Sequence, residues 1–431
     1  MSPLHLLSLP PNLPDTHPAV PHLKLKRLVV MASLVVAMVA LGVVYAWSVF
    51  ITPLQTAHGL SNQQCQWVFG LLIAVYSLTM LAVAPLFKRV GPQVLLAGAA
   101  VLFAAGFTLA SLGLALWPTV FVGLLVGISL IAGVGIGLGY TACLNFAMRL
   151  YPNQKGLVSG LAAGGFASGA MAVAQVMEPI LLAGLPPLQA LGNLGLVNGF
   201  VLLIAAMLCT GWRNLLPLPV EATLASNTPQ GGVPAPLGVA YALKQPAFWL
   251  LFSGMLAGTF AGFSVIGNLK PLAVAFGLTP QWAVLTVTVF AAGNALGRVG
   301  WGALADKYGA KIIPWLGLSL ALWTLSFLAS EDHKLLFLST ALLLGLSFGG
   351  HFSVFASQVA QVFGVEAVPR LYPLILLAQV LSALSGPLVA GWLVDTWGSY
   401  LPVVIVAAVV ALAGVVLTVV LGYRLRRNAL A

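Results

Sequence analysis

The sequence predicts an all-α membrane protein with twelve transmembrane helices in two sets of six, and three observations predict it. Of the 431 residues, 60% are hydrophobic and only 6% charged, against roughly a quarter charged in a soluble domain, and the mean hydropathy is +1.05. Apolar runs of about 20 residues, long enough to cross a roughly 30 Å hydrocarbon core as helix, recur twelve times along the chain. One long polar, proline-rich segment divides them six and six.

The elements follow in order. Residues 1–27 carry six prolines within the first 23 positions and no apolar run beside a basic start, so a disordered cytosolic tail is expected rather than a cleaved signal peptide. Spans are expected over 28–53, 66–87, 93–114, 119–148, 157–183 and 194–212, making a first half, 28–212. RNLLPLPVEATLASNTPQGGVPAPLGVAYALKQP (213–246) is the longest polar, proline-rich stretch after the tail, and 213–245 is expected as a cytosolic linker. Spans over 246–269, 282–304, 312–329, 335–363, 373–394 and 400–422 make a second half, 246–422, and 423–431 a short cytosolic tail.

Charge placement sets an orientation. With the N-terminus in the cytosol, the inside segments hold all 18 Lys and Arg except Lys270, Lys334 and Arg298, the bias of the positive-inside rule. Both termini are therefore expected in the cytosol, and the protein as a multi-pass component of a bacterial-type inner membrane. The net charge of +10 forms no basic patch on a soluble face, so nucleic acid is not an expected partner. Cys65, Cys143 and Cys209 lack metal or disulfide spacing and read as packing residues. No metal or cofactor is expected.

Gly133, Gly135, Gly137 and Gly139 in the fourth span follow no strand, so they do not make a phosphate loop. Like Gly160, Gly164, Gly165 and Gly169 in the fifth, they read as residues that let helices approach closely. With no phosphate loop on a soluble domain, neither an enzyme nor ATP-driven transport is expected.

APLFKRVGPQ (84–93) and GALADKYGAK (302–311) form a weak repeat, with Gly91 and Gly309 218 residues apart. A basic or acid–base pair and then a glycine turn, after the second helix of each half, resembles the signature of the major facilitator superfamily. That resemblance implies two six-helix bundles related by an axis along the membrane normal. It marks Lys88, Arg89, Gly91, Asp306, Lys307 and Gly309 as gating residues, although Lys88 stands where the family usually has Asp. More narrowly, YAWSVF (45–50), the YP and KG of RLYPNQKGLVSG (149–160), and NALGRVGWGALAD (294–306) resemble the oxalate/formate exchangers and the monocarboxylate transporters.

The resemblance implies a cavity lined by the first, fourth, seventh and tenth spans, and a carboxylate-binding arginine at 298. The residues themselves leave two readings. Arg298 is the one basic residue well inside a span, at a cost of about 2.5–3.5 kcal/mol on insertion scales. No Asp or Glu lies mid-span, and Asp306 is about 12 Å further along a helix. Arg298 either snorkels or binds backbone carbonyls as a structural group, or it meets a substrate carboxylate with its planar fork.

His351, in GLSFGGHFSVF (345–355), is either a hydrogen-bonded packing residue or a cavity group able to bind substrate or carry a proton. Tyr45, Trp47, Tyr140 and Phe355 are either core aromatics or walls of a small anion site. Gln379 stands where, by register in the resemblance, oxalate exchangers have a lysine, and Gln379, Ser382 and Ser385 are expected to make a polar stripe facing the cavity. One cation rather than two suits a single carboxylate. Proton symport is weakly supported, since the nearest embedded carboxyl, Glu178, lies at the outer end of the fifth span.

The expected function is secondary active transport of a small organic anion, a monocarboxylate first, by alternating access and with exchange as one mode. The expected form is a monomer in the lipid bilayer. The alternative is a carrier of a neutral or zwitterionic solute with Arg298 structural, and the minor alternative a membrane sensor without transport.

Overall fold

The computed structural model describes residues 20–83, 86–216, 239–364 and 367–430, and all regular structure among them is helical. Among the described residues, twelve helices are long and apolar enough to cross a membrane. In chain order they are α1 Leu23–Ala46, α2 Asn62–Val83, α3 Pro92–Ser111, α4 Val120–Leu150, α5 Leu157–Leu182, α6 Pro187–Leu208, α7 Pro246–Ile266, α8 Pro280–Tyr308, α9 Ile312–Ala329, α10 Lys334–Phe363, α11 Arg370–Trp397 and α12 Leu401–Val420. An even number of crossings leaves both ends of the described chain on one face, called the terminal face below; the opposite one is the far face.

Several boundaries differ from expectation, among them α6, which starts at Pro187 rather than 194, and α2, which runs over Asn62–Val83 rather than 66–87. Helix begins at Val20, inside the tail expected over 1–27; Pro21 sits in the first turn, where its missing N–H has no partner to lose. Residues 1–19 of that tail and 217–238 of the linker lie outside the described residues, while the linker's ends form the short helices Trp212–Leu215 and Val239–Lys244. The last helix continues to Leu430, through the tail expected over 423–431, in a stretch that contains no proline.

The first span is also broken. α-Helix runs over Val20–Leu41, a 3-10 turn over Gly42–Ala46, and a second helix over Ser48–His58. The chain tightens where α1 meets α5: a Cβ on Gly42 would fall 1.8 Å from the Phe166 carbonyl oxygen, and one on Gly169 2.3 Å from that of Val39. The break carries Tyr45.

Within the first half α3 packs along α6, and within the second α8 along α10 and α7 along α12. The α8–α10 seam is glycine to backbone on both sides. Cβ atoms on Gly293 and Gly297 would meet the carbonyls of Leu342 and Leu346 at 2.1 and 2.0 Å, and on Gly345 and Gly349 those of Phe290 and Asn294 at 2.2 and 2.1 Å. The α4 glycines likewise abut neighbouring helices, as do Gly165 and Gly169 of α5, but Gly160 and Gly164 face open space and do not serve packing. The halves meet along α2 with α11 and α5 with α8.

Candidate functional site

The α8–α10 seam fixes the direction of Arg298. With Gly297 pressed on α10, the guanidinium lies over the Phe352 ring, 4.6 Å from its centroid, a contact worth about 0.5–2 kcal/mol. The side chain is half-buried, and its Nε is buried with no hydrogen-bond partner. Asp306 does not neutralise it, since Asp306 Oδ1 accepts from Ser357 Oγ at 3.1 Å. Among the described residues the one ion pair is elsewhere, between Lys270 and Glu178. One turn before Arg298, Asn294 is fully buried with both amide atoms unpartnered.

Aromatic hydroxyls gather in this region: Tyr45 and Tyr76 come from α1 and α2 across the interface, and Tyr372 from α11 of the same half. Phe166 of α5 holds three of the first half's rings edge to face, at centroid distances of 5.6 Å to Tyr45, 5.9 Å to Tyr76 and 5.0 Å to Tyr140. The Tyr45 and Tyr76 hydroxyls are 3.4 Å apart. Gln379 Nε2 donates across the interface to Tyr76 Oη at 3.3 Å and Ser77 Oγ at 3.2 Å. Tyr372 Oη donates to the carbonyl of Phe352, the residue beneath Arg298, at 3.0 Å.

Arg298, Tyr45, Tyr140 and Gln379 are thus brought to one region where the halves meet, with Tyr76, Ser77, Phe166, Tyr372 and Phe352 added to them. Three expected residues go elsewhere. Trp47 is buried, and its Nε1 donates to the Cys65 carbonyl inside the first half at 2.9 Å. His351 and Phe355 face a small cavity inside the second half, bounded by Gly254 and Gly258 of α7, Gly317 of α9 and Gly414 of α12. His351 Nδ1 is 3.0 Å from the Ser347 carbonyl, and the ring stacks on Phe355 at 5.9 Å. That corrects their placement at the pocket: α10 turns this face toward α7, away from the other half.

The expected stripe also divides. Gln379 points to α2, Ser382 bonds Thr259 of α7 at 2.9 Å, and Ser385 is exposed and bonds its own helix at Leu381. At 100° per residue, a spacing of three advances 300°, so two such steps carry the direction about 120° around the helix.

A family model described as Major Facilitator Superfamily matches residues 32–328 and 255–430. The chain belongs to the Major Facilitator Superfamily. It is 22% identical over 362 residues to the oxalate:formate antiporter of Oxalobacter formigenes, covering 83% of this chain and 82% of that one. It is 31% identical over 362 residues to apicoplast pyruvate carrier 1 of Toxoplasma gondii, covering 69% of this chain and 64% of that one. The inward-open structure of the xylose transporter XylE from E. coli has the same fold, with a TM-score of 0.68 at 14% identity over 91% of this chain and 95% of that one.

In this member of the Major Facilitator Superfamily both signature loops turn at a glycine with positive φ, +83° at Gly91 and +61° at Gly309. A residue with Cβ is strained there. The second loop is tied to α10: besides the Asp306 to Ser357 bond, Gln361 Nε2 donates to the Ala305 carbonyl at 3.2 Å. Lys307 lies over Tyr308, 5.2 Å from the ring centroid. Around the first loop Arg149 covers the Phe87 ring at 4.6 Å, Arg89 is exposed, and the Lys88 side chain lies outside the described residues.

Proposed function

We propose that this superfamily transporter carries a small organic anion, a monocarboxylate first, by alternating access and with exchange as a mode. The observation that carries the reading is Arg298, a mid-span cation at the meeting of the halves whose Nε has no partner and which no carboxylate among the described residues neutralises. A carboxylate supplies both the missing charge and the acceptors for a forked guanidinium. Tyr45, Tyr76 and Gln379 supply neutral hydrogen bonds beside it, and Tyr140 with Phe166 the apolar wall. The names of the oxalate:formate antiporter and the pyruvate carrier agree with a carboxylate cargo. The excess of Lys and Arg at the terminal face favours a cytosolic location for it.

A neutral cargo draws support from one contact, the stacking of Arg298 on Phe352, which satisfies the cation in part. A single panel separates the two readings. The purified protein in liposomes, offered labelled formate, lactate, pyruvate and oxalate with and without a trans anion, is expected to take up monocarboxylates faster when a trans anion is present. If no carboxylate is transported or competes for uptake, the anion reading is wrong.

Gln379 bears on substrate charge. Gln379→Lys keeps a donor near Tyr76 and Ser77 while adding a cation, which is left unpaired beside a monocarboxylate but meets the far end of a short dicarboxylate. The expected result is a preference shifted toward oxalate over formate by about tenfold or more. Competition assays on wild type and variant check it, and an unmoved preference removes Gln379 from the determinants of substrate charge.

A further inference from the structure

Glu178, Lys270 and Asp395 stand outside the anion site, yet all three tie the halves together at the far face. Glu178, near the end of α5, pairs with Lys270 of the short helix Leu269–Ala275 that follows α7. Its Oε2 lies 2.5 Å from Lys270 Nζ, and the two side chains are 4% and 7% exposed. Lys270 Nζ is also 3.5 Å from the Val49 carbonyl of the first half.

On the other side of the interface Asp395, at the end of α11, caps the start of α2 from the opposite bundle. The backbone N–H groups of Asn62 and Gln63 donate to its two carboxylate oxygens at 2.9 and 2.8 Å, the first-turn donors left over by the helix's own N-cap, Ser61, whose Oγ accepts from the Gln64 N–H at 3.1 Å. Two neutral contacts accompany the cap. Asn62 Nδ2 donates to Tyr400 Oη at 3.0 Å, and Gln66 Nε2 donates to the Gly267 carbonyl and to Asn268 Oδ1, both at 2.9 Å. Burial raises the pKa of the Tyr400 hydroxyl above the usual tyrosine range, so it stays neutral.

The two acids repeat. Glu178 and Asp395 are 217 residues apart, against 218 for Gly91 and Gly309, and each lies near the far end of the fifth helix of its half. Each reaches the region of the opposite half from which that half's second helix starts: Lys270 precedes α8, and Asn62 begins α2. One side is a buried ion pair and the other an exposed cap. At the terminal face the polar ties are different in kind, since Arg27 to the Leu215 carbonyl, Arg149 over Phe87 and Asp306 to Ser357 do not cross between the bundles.

We propose that Glu178 and Asp395 form a two-point clasp that holds the far face shut, with the cap at Asp395 releasing first and the Glu178–Lys270 pair setting how often that face opens. Water replaces hydrogen bonds at an exposed cap at little cost, whereas separating a buried pair strands two charges. The clasp is independent of what the transporter carries.

The test uses the full chain in lipid nanodiscs, with Cys65, Cys143 and Cys209 replaced by alanine and spin labels at Ala57 and Glu331, exposed positions on far-face segments of the two halves. Pulsed electron-electron resonance then reads the population with the far face open. Glu178→Gln is expected to raise it about tenfold or more, and Asp395→Asn about threefold. The exchange Glu178→Lys with Lys270→Glu is expected to restore the wild-type distribution. If Glu178→Gln does not reach the membrane, Glu178→Gln with Lys270→Met removes both charges at similar volume and is expected to raise the same population. Distances unchanged in every charge-removing variant overturn the clasp, and a larger effect of Asp395→Asn than of the Glu178 variants overturns the order of release.

Discussion

Replacing Arg298 with glutamine is expected to abolish carboxylate transport while leaving the protein folded in the membrane. The side chain has an unpartnered buried Nε and no carboxylate neighbour among the described residues, so its loss breaks no ion pair of the protein itself. Removing a mid-span charge lifts an insertion cost of about 2.5–3.5 kcal/mol, which exceeds the roughly 0.5–2 kcal/mol of the stacking on Phe352. On the substrate side, each charge-assisted hydrogen bond contributes about 1.5–3 kcal/mol, and a forked contact makes two. Initial uptake in liposomes should therefore fall by at least about 100-fold. Arg298→Lys keeps the charge without the planar fork and should land between the two. Near wild-type uptake by Arg298→Gln would sink the anion site and leave Arg298 a structural residue.

The second large effect is expected one residue away. Gly297→Ala puts a Cβ 2.0 Å from the Leu346 carbonyl oxygen and 2.7 Å from its carbon, both backbone atoms that cannot swing aside. α8 and α10 must then part along the seam that aims Arg298. Overpacking of this kind costs about 1–3 kcal/mol or more, and the expected reading is a clearly lowered thermal unfolding midpoint in detergent together with lost uptake. Gly300→Ala is the control, because nothing lies within 4 Å of a Cβ there and alanine favours helix by about 0.5–1 kcal/mol. Equal stability of the two variants would show that the seam is not the close contact described.

How much of this was legible in the sequence differs by residue. Arg298 was found because a charge inside an apolar run is conspicuous without knowledge of any neighbour. Gly91 and Gly309 were found because a repeated loop motif ends on a residue that tolerates positive φ, which the structure then displays. Tyr76, Ser77, Phe166 and Tyr372 were missed, since an aromatic or hydroxyl residue in a membrane span looks the same whether it fills a core or lines an interface. Tyr140 was named with Tyr45, Trp47 and Phe355 on equal grounds, and the structure separated them by which helix each one faces.

By itself the sequence determined what is additive and local. Transfer into lipid depends on runs of about 20 side chains, and the positive-inside bias on nearby charges, so the all-helical class, the twelve spans and the six-plus-six division follow from reading along the chain. Only the tertiary structure decided which polar groups meet. Gln379 and Tyr76 are 303 positions apart, and Lys270 and Glu178 are 92 apart. Gln379, Ser382 and Ser385 diverge although they share a spacing, because a helix turns 100° per residue and its neighbours are set by packing. The break in the first span is likewise decided by Phe166 and Gly169 of another helix pressing on Gly42. Hydropathy reports the cost of leaving water, which each residue bears alone, whereas a site between bundles is made of pairings that exist only once the bundles have packed.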